Sequence, residues 1–406
     1  MLTGNGARGM KLSVIIVSYN VEHYLRQCLD SLRRAVDGID AEICVVDNHS
    51  KDGTVDFLNS LDGTVKVVAS NHNYGFARAN NIGIRQTSGE YVLLLNPDTV
   101  VGESTIKDCL AFMDAHASAG GLGVQMLKSD GGKAMESRRG LPTPMVAFYK
   151  MCGLCTRFPH SKRFGRYYMC GMDWDKPGKI EVISGAFLMA RRTAFEKAGL
   201  LDEDFFMYGE DIDLSYRFLK SGFENWYLPV KILHYKGEST HKSSFRYVHV
   251  FYEAMLIFFQ KHYSHLGFWL YIPIRTAIYF SAIVALVKMA SANIKKMLGF
   301  PLRKRAKRPF FVFLGSARSI EQCRAIAYKT GMEASYFVCD EKSNVEGHSV
   351  LDLPKTSSPV YVVYDISSYK YETVLDIFSS NSRSNVFVGI FNPADNIIIT
   401  DKEIIS

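Results

Sequence analysis

Leu12 to Tyr19 reads LSVIIVSY, and the fold turns on this stretch. A continuous apolar run of strand length is expected where both faces of a strand are buried, as in a parallel sheet covered by helices. After it, Asn20 can cap a helix in which Val21, Tyr24, Leu25, Cys28, Leu29 and Leu32 fall at helical spacing. Glu42 to Asp47 (EICVVD) predicts a second strand and Val65 to Ala69 a third. Ala77 to Gln86 then predicts a helix, and Tyr91 to Leu95 a further strand. This alternation predicts a parallel, doubly wound α/β sheet, whose ligands sit beyond the carboxyl ends of its strands.

Further along, Ile180 to Met189 predicts a strand, and Arg192 to Ala198 and Asp211 to Lys220 predict helices. A long aromatic helix is expected from about Tyr247 to Tyr263. Leu266 to Val287 is strongly apolar, but Pro273 and Arg275 interrupt it, and Thr276 to Val287 falls short of the roughly 20 residues of a span. Read as one helix beyond Pro273, it carries Arg275, Lys288 and Lys295 on one stripe, with Trp269 and Tyr271 at its start. That pattern suits the membrane interface; a core helix with a solvated linker and a true span are the other two readings. From Pro309, strands at Phe310–Leu314, Ser335–Asp340, Pro359–Asp365 and Asn385–Ile390, with helices at Ile320–Thr330 and Tyr371–Ser379, predict a second α/β unit. The expected organisation is a flexible N-terminus (1–10), a first α/β domain (11–250), a helical basic segment (251–308) and a small C-terminal α/β, Rossmann-like domain (309–406), with the first 300 residues holding the whole site.

Of 406 residues, 47% are hydrophobic and 22% charged, the composition of a globular chain. No apolar run follows a basic start, so no secretory signal is expected, and eight scattered cysteines suit a reducing cytoplasm. The net charge of +7 is localised: between Glu253 and Glu321 there are eleven Lys and Arg and no acid, so the remainder sums to −4. The apolar, aromatic flank of the basic cluster RKRAKR favours anionic lipid over nucleic acid.

Asp47 (CVVDN) and Asp98 (LLLNPD) each close an apolar strand, so both can reach one ligand at the sheet edge. A lone strand-end Asp is commonly a turn or helix cap. Two in one unit, with Asn96 beside the second, point to a polar ligand and a hard cation, Mn²⁺ or Mg²⁺. Glu210 and Asp211 stand at a helix start, where the dipole favours negative charge and capping is the plainer role. Phe205, Phe206 and Tyr208 crowd them and can desolvate a carboxylate into a useful base. Asp213 and Arg217, one turn apart, are expected to pair. His234 (ILHYKGEST) is either a satisfied core or surface histidine or the completion of an Asp/His metal site.

In order, VSYN, VVDNHSKDGT, NYGFARANNIGI, LLLNPDT, SGAFLMARR, FFMYGEDIDLSYR and HYKGEST resemble family 2 glycosyltransferases, nearest the rhamnosyltransferase and galactofuranosyltransferase branch. The resemblance covers roughly residues 11 to 250. It implies a GT-A fold and an inverting, metal-dependent transfer from a nucleotide-sugar. Asp47 would contact the nucleotide base, and the loop near Asn80 would close over the nucleotide. Asp98 would be the metal carboxylate of an Asp-X-Asp motif in which Asn96 replaces the first Asp, and His234 a third ligand. Asp211 would be the general base, with Glu210 holding charge and shape. Arg138, Arg139 (ESRRGLPTP) and Gly185 (SGAFLMARR) would line the acceptor or diphosphate site, a surface role for the arginines being equally open.

The implied donor is a nucleotide-sugar, dTDP-L-rhamnose first. The implied acceptor is a lipid-linked, polyprenyl-diphosphate glycan in cell-surface polysaccharide synthesis. The place is the cytoplasmic face of the inner membrane, held peripherally through 266–308, with no nucleic-acid partner. The alternatives are galactofuranosyl or other hexosyl transfer, or a catalytically silent nucleotide-sugar-binding regulator. The C-terminal unit distantly resembles nucleotide-binding-like domains fused to polyprenyl-phosphate sugar transferases, and no activity is assigned to it.

Overall fold

A computed structural model of the chain describes residues 9–61, 63–235, 245–264, 268–297, 308–339, 346–354 and 356–406. The expected strands form β1 (Leu12–Ser18), β2 (Ala41–Asp47), β3 (Val65–Ala69) and β4 (Tyr91–Leu95). They are followed by β5 (Thr99–Val101), β6 (Ala119–Leu127), β7 (Gly178–Ile180), β8 (Phe187–Arg191) and β9 (Glu224–His234). One nine-stranded sheet runs β3-β2-β1-β4-β8-β6-β9-β5, with β7 on β9. Its β3-β2-β1-β4 half is parallel, as the apolar runs predict, and β1 is buried throughout.

The other half departs from the expected doubly wound pattern. β8 is antiparallel to both β4 and β6, and β5 is antiparallel to β9. The single strand expected over Ile180–Met189 is two, β7 and β8, because residues 181–186 leave the sheet. The fold is a mixed α/β, GT-A-like arrangement with a large sheet. Helices α1 (Glu22–Ala35), α2 (Thr54–Asn59), α3 (Phe76–Arg85) and α4 (Thr105–Ala115) connect the first strands. Helices α5 (Pro144–Met151), α6 (Leu154–Arg157), α7 (Arg192–Ala198) and α8 (Glu210–Lys220) belong to the second half.

Helix α9 (Phe245–Tyr263) packs on α8, pinned by a 2.6 Å contact from His262 Nε2 to Asp213 Oδ1. Helix α10 (Phe268–Met297) runs through Pro273 rather than starting after it; a proline this near the N-terminus removes one i→i−4 bond without ending the helix. No helix among the described residues is long and apolar enough to cross a membrane. The side chains of Trp269, Tyr271, Arg275, Lys288 and Lys295, the cluster from Arg303 to Lys307, and the HYKGEST motif beyond Tyr235 lie outside the described residues.

The second sheet contains β10 (Phe310–Gly315), β11 (Glu333–Val338), β12 (Val360–Asp365), β13 (Val386–Asn392), β14 (Ile397–Ile399) and β15 (Ile404–Ile405), ordered β11-β10-β12-β13-β14-β15. Helices α11 (Ala317–Thr330) and α12 (Tyr371–Ser380) accompany it. It does not stand apart from the first domain. Val21, Tyr24, Val100, Leu127, Leu233 and Tyr235 share one apolar core with Val312, Val362, Tyr364 and the buried face of α12. Polar ties flank that core: Tyr371 to Asp30 at 2.8 Å, Lys231 to Asp376 at 2.6 Å, and the Glu103 carboxylate receiving the first amides of α12. The expectation that the first 300 residues suffice meets this seam, since Val100, Leu233 and Tyr235 sit beside Asp98 and His234.

Candidate active site

The carboxyl ends of β1, β2 and β4 meet at one edge, as a parallel half-sheet requires. Asp47 ends β2, is buried, and takes the Ser50 amide on Oδ2 at 3.0 Å. Among the described residues its Oδ1 has no partner, and neither does Ser18 Oγ at the end of β1. The loop after Asp47 is held to the start of α3 by Asn48, whose amide nitrogen donates to Asn73 Oδ1 and the Gly75 carbonyl and whose Oδ1 accepts the Tyr74 amide. Gly75 has φ of +81°, and a Cβ there would fall 2.4 Å from the Phe206 carbonyl, so the close approach of α3 to the 205–208 loop needs glycine.

Asp98 and His234 meet because β5 and β9 pair Thr99 with His234. His234 Nε2 lies 3.3 Å from Asp98 Oδ1 and 3.5 Å from Asn96 Nδ2. Asn96 Oδ1 is buried without a partner among the described residues. This donor set fits a hard divalent cation held by few protein ligands, with substrate oxygens and water supplying the rest. Among the described residues, no group of three or more His, Cys, Asp and Glu gathers to hold a metal without such help.

Asp211 is joined to the same edge through the segment that leaves the sheet. The Asn96 amide donates to the Ala186 carbonyl at 3.0 Å, and the Gly185 amide donates to Asp211 Oδ2 at 3.1 Å. Asp211 also forms an ion pair with Arg139, whose side chain is 12% exposed. Ahead of α8, Tyr208 and Gly209 both take the left-handed conformation, φ of 70° and 86°, a strain for tyrosine that turns the helix start toward the site. Glu210 is buried, and Oε2 lacks a partner among the described residues. Burial, and then the neighbouring Asp211 charge, push its carboxyl up to about 8, which favours the protonated form. Asp213 pairs with Arg217 at 2.6 Å, as expected.

Two expected site residues sit elsewhere. Arg138 and Arg139 lie on extended backbone, where neighbours face opposite ways. Arg139 therefore points to Asp211, while Arg138 stacks 3.6 Å from the Trp174 ring centre and donates to the Met172 carbonyl. Neither arginine lies at the surface. Asn80 is buried in α3, with its amide nitrogen on the Phe76 carbonyl at 2.9 Å, one turn back. Asn48, which the motif reading passed over, is a scaffold residue here; its place right after Asp47 was the signal. Tyr167 and Lys150 line the cavity beside Arg139 and Asp211; they come from the irregular region where no periodicity marks them.

Residues 13–199 match the family described as glycosyl transferase family 2. The N-acetylglucosaminyl-diphospho-decaprenol L-rhamnosyltransferase of Mycobacterium tuberculosis is 28% identical over 272 residues, 64% of this chain and 86% of that protein. Rhamnosyltransferase WbbL of Escherichia coli K12 is 24% identical over 253 residues, 58% of this chain and 88% of its own. The crystal structure of S. aureus TarS 1–349 in complex with UDP-GlcNAc is similar with a TM-score of 0.43 and 18% identity, over 73% of this chain and 95% of that one. The motifs, the strand-end carboxylates and the family match coincide, and the chain carries a glycosyltransferase family 2 domain over residues 13–199.

Proposed function

We propose that the chain transfers a sugar from a nucleotide-diphosphate donor to a lipid-linked glycan acceptor with inversion, L-rhamnose from a dTDP donor being the first candidate. One observation carries this reading. Among the described residues, Ser18 Oγ, Asp47 Oδ1 and Asn96 Oδ1 are buried oxygens without protein partners, and the carboxyl ends of β1, β2 and β4 lie at one sheet edge. Buried polar atoms are nearly always satisfied, so this edge is prepared for a polar ligand. Asp47 and Ser18 would receive the nucleoside. Asn96, Asp98 and His234 would hold Mn²⁺ or Mg²⁺, which when bound supplies positive charge against the leaving diphosphate.

Asp211 would take the proton of the attacking acceptor hydroxyl while Arg139 and the Gly185 amide hold its carboxylate in place. Protonated Glu210 keeps a second negative charge out of the pocket and can donate a hydrogen bond. A single base with no nucleophile beneath the sugar would invert the anomeric carbon. The names of the two rhamnosyltransferases support the sugar, and the first names a diphospho-decaprenol acceptor.

The membrane part of the proposal rests on α10. Ile272, Phe280, Ile283, Val287, Ile294 and Met297 recur every three to eight residues and are exposed, a single helical stripe. With the acid-free basic segment around it, that stripe would lie on an anionic bilayer surface at the cytoplasmic face of the membrane.

The test is nucleoside-diphosphate release from a panel of UDP-, dTDP- and GDP-sugars with Mn²⁺ and a polyprenyl-diphosphate-linked sugar. Acceptor-dependent release from one donor is expected. Release from none, with nucleotide still bound, would favour the silent regulator.

A further inference from the structure

A cavity of about 340 Å³ lies next to Asp211, between α5, the start of α8 and α9. That size is within the usual range of small-molecule sites, roughly 300–1,000 Å³. It is polar at one end and apolar along its length. The polar end holds Arg139, Asp211, Glu210, Tyr167 and Lys150; the α9 wall is Phe251, Met255, Phe258 and Phe259.

The charges at the polar end do not cancel. Arg139 is matched by Asp211, and burial raises the Glu210 carboxyl toward its neutral form. Lys150 Nζ sits 3.7 Å from the Tyr167 ring centre, and no carboxylate pairs with it among the described residues. Burial would raise the Tyr167 phenol, but Lys150 and Arg139 outweigh it and lower the value. A buried phenol between two cations marks a place of positive potential.

Outside the cavity, α5 leaves Met145 and Phe148 about half exposed, at 50% and 47%. Helix α10, with its exposed apolar stripe, packs on both α5 and α9. The polarity therefore runs from the polar end beside Asp211 to the apolar α9 wall, with α10 packed against α9.

We propose that this cavity receives the phosphate-linked lipid end of the acceptor, with Lys150 holding phosphate charge and the α9 aromatic wall covering the first part of the apolar chain. The proposal rests on the transferase reading of Asp211 and adds to it a subsite and a recognition residue. The phosphate would sit within reach of Lys150 and the hydroxyl to be glycosylated would face Asp211. The chain would leave toward α10, so donor and acceptor would approach the base from different sides.

The experiment uses the full-length chain and geranylgeranyl diphosphate as probe, titrated with UDP or dTDP and Mn²⁺ already saturating, so that the donor side is closed to it. Native protein is expected to bind this probe more tightly than isopentenyl diphosphate or geranylgeraniol. Lys150→Gln should weaken it about tenfold or more, the loss of one charge-assisted contact, while Lys150→Arg restores most of the affinity. Nucleotide affinity should be equal in all three proteins. Lipid-diphosphate binding unchanged in Lys150→Gln, or abolished by saturating nucleotide, would overturn the subsite. Loss of nucleotide binding in native protein would overturn the transferase reading instead, so the two failures are distinguishable.

Discussion

Replacing Glu210 with Gln tests the electrostatics of the site without touching its shape. The folded protein holds the Glu210 proton up to about pH 8, whereas an unfolded chain releases it near pH 4.3. The folded value is the higher, so the stability associated with the protonated carboxyl is fully present below about pH 4.3. It is lost as the pH rises to about 8. At 1.36 kcal/mol per pH unit, the window from pH 5 to pH 8 corresponds to about 3–4 kcal/mol. The amide cannot ionise, so Glu210→Gln removes this slope. The buried amide also brings an unmet donor worth about 1–3 kcal/mol at either pH. The variant should therefore be the less stable protein at pH 5 and the more stable one at pH 8, by roughly 2 kcal/mol each way. Urea unfolding followed by tryptophan fluorescence at the two pH values measures the crossing. A stability difference that stays constant between them would refute a protonated Glu210, and with it the charge balance drawn for the cavity.

Other outcomes follow from particular contacts. Leu233→Ala, in the core shared by the two sheets, should cost about 2–5 kcal/mol and weaken Mn²⁺ binding, readable by paramagnetic relaxation; full Mn²⁺ affinity would separate the C-terminal unit from the site. A chain cut after residue 308 should expose the same core and aggregate, judged by size-exclusion chromatography; a monodisperse, nucleotide-binding fragment would contradict the shared-core account. Phe280→Ser combined with Ile283→Ser and Val287→Ser should reduce sedimentation with phosphatidylglycerol vesicles at least about tenfold, since each loses roughly 1.5–3 kcal/mol of apolar burial; unchanged sedimentation would remove α10 from the membrane.

The parallel half of the fold was legible because its strands are uninterrupted apolar runs. Leu12–Ser18, Ala41–Asp47 and Tyr91–Leu95 came through almost residue for residue, and with them the position of Asp47. The strands that complete the sheet were hidden by their composition. β6 opens AGGLG, and its glycines lower strand propensity; they are there because a Cβ at Gly121 would lie 2.5 Å from Ile183. β9 contains Pro229, and its pairing with β6 shifts register near Val124.

Residues 181–186 look like the middle of a strand, and only tertiary packing turns them out to bring Gly185 to Asp211. The motifs named Asp98 and His234 as metal ligands and Asp211 as a base; the structure sets His234 against Asp98 and Arg139 against Asp211. Which of two adjacent arginines faces Asp211 depends on alternation along an extended segment whose phase the sequence does not mark. The seam between the two sheets has no local signature at all, since each of its residues looks like an ordinary core position of its own unit.

The most direct test of the central claim is the effect of Asp211→Asn on sugar transfer to a lipid-linked acceptor, measured beside nucleotide affinity in the same preparation. The base assignment predicts a loss of kcat of about 10²–10⁴-fold, the usual contribution of a positioned base, with nucleotide affinity within a few-fold of native because Asp47 and the Asn96–Asp98–His234 corner are untouched. Turnover retained within tenfold, in a variant that binds nucleotide normally, would contradict Asp211 as the base.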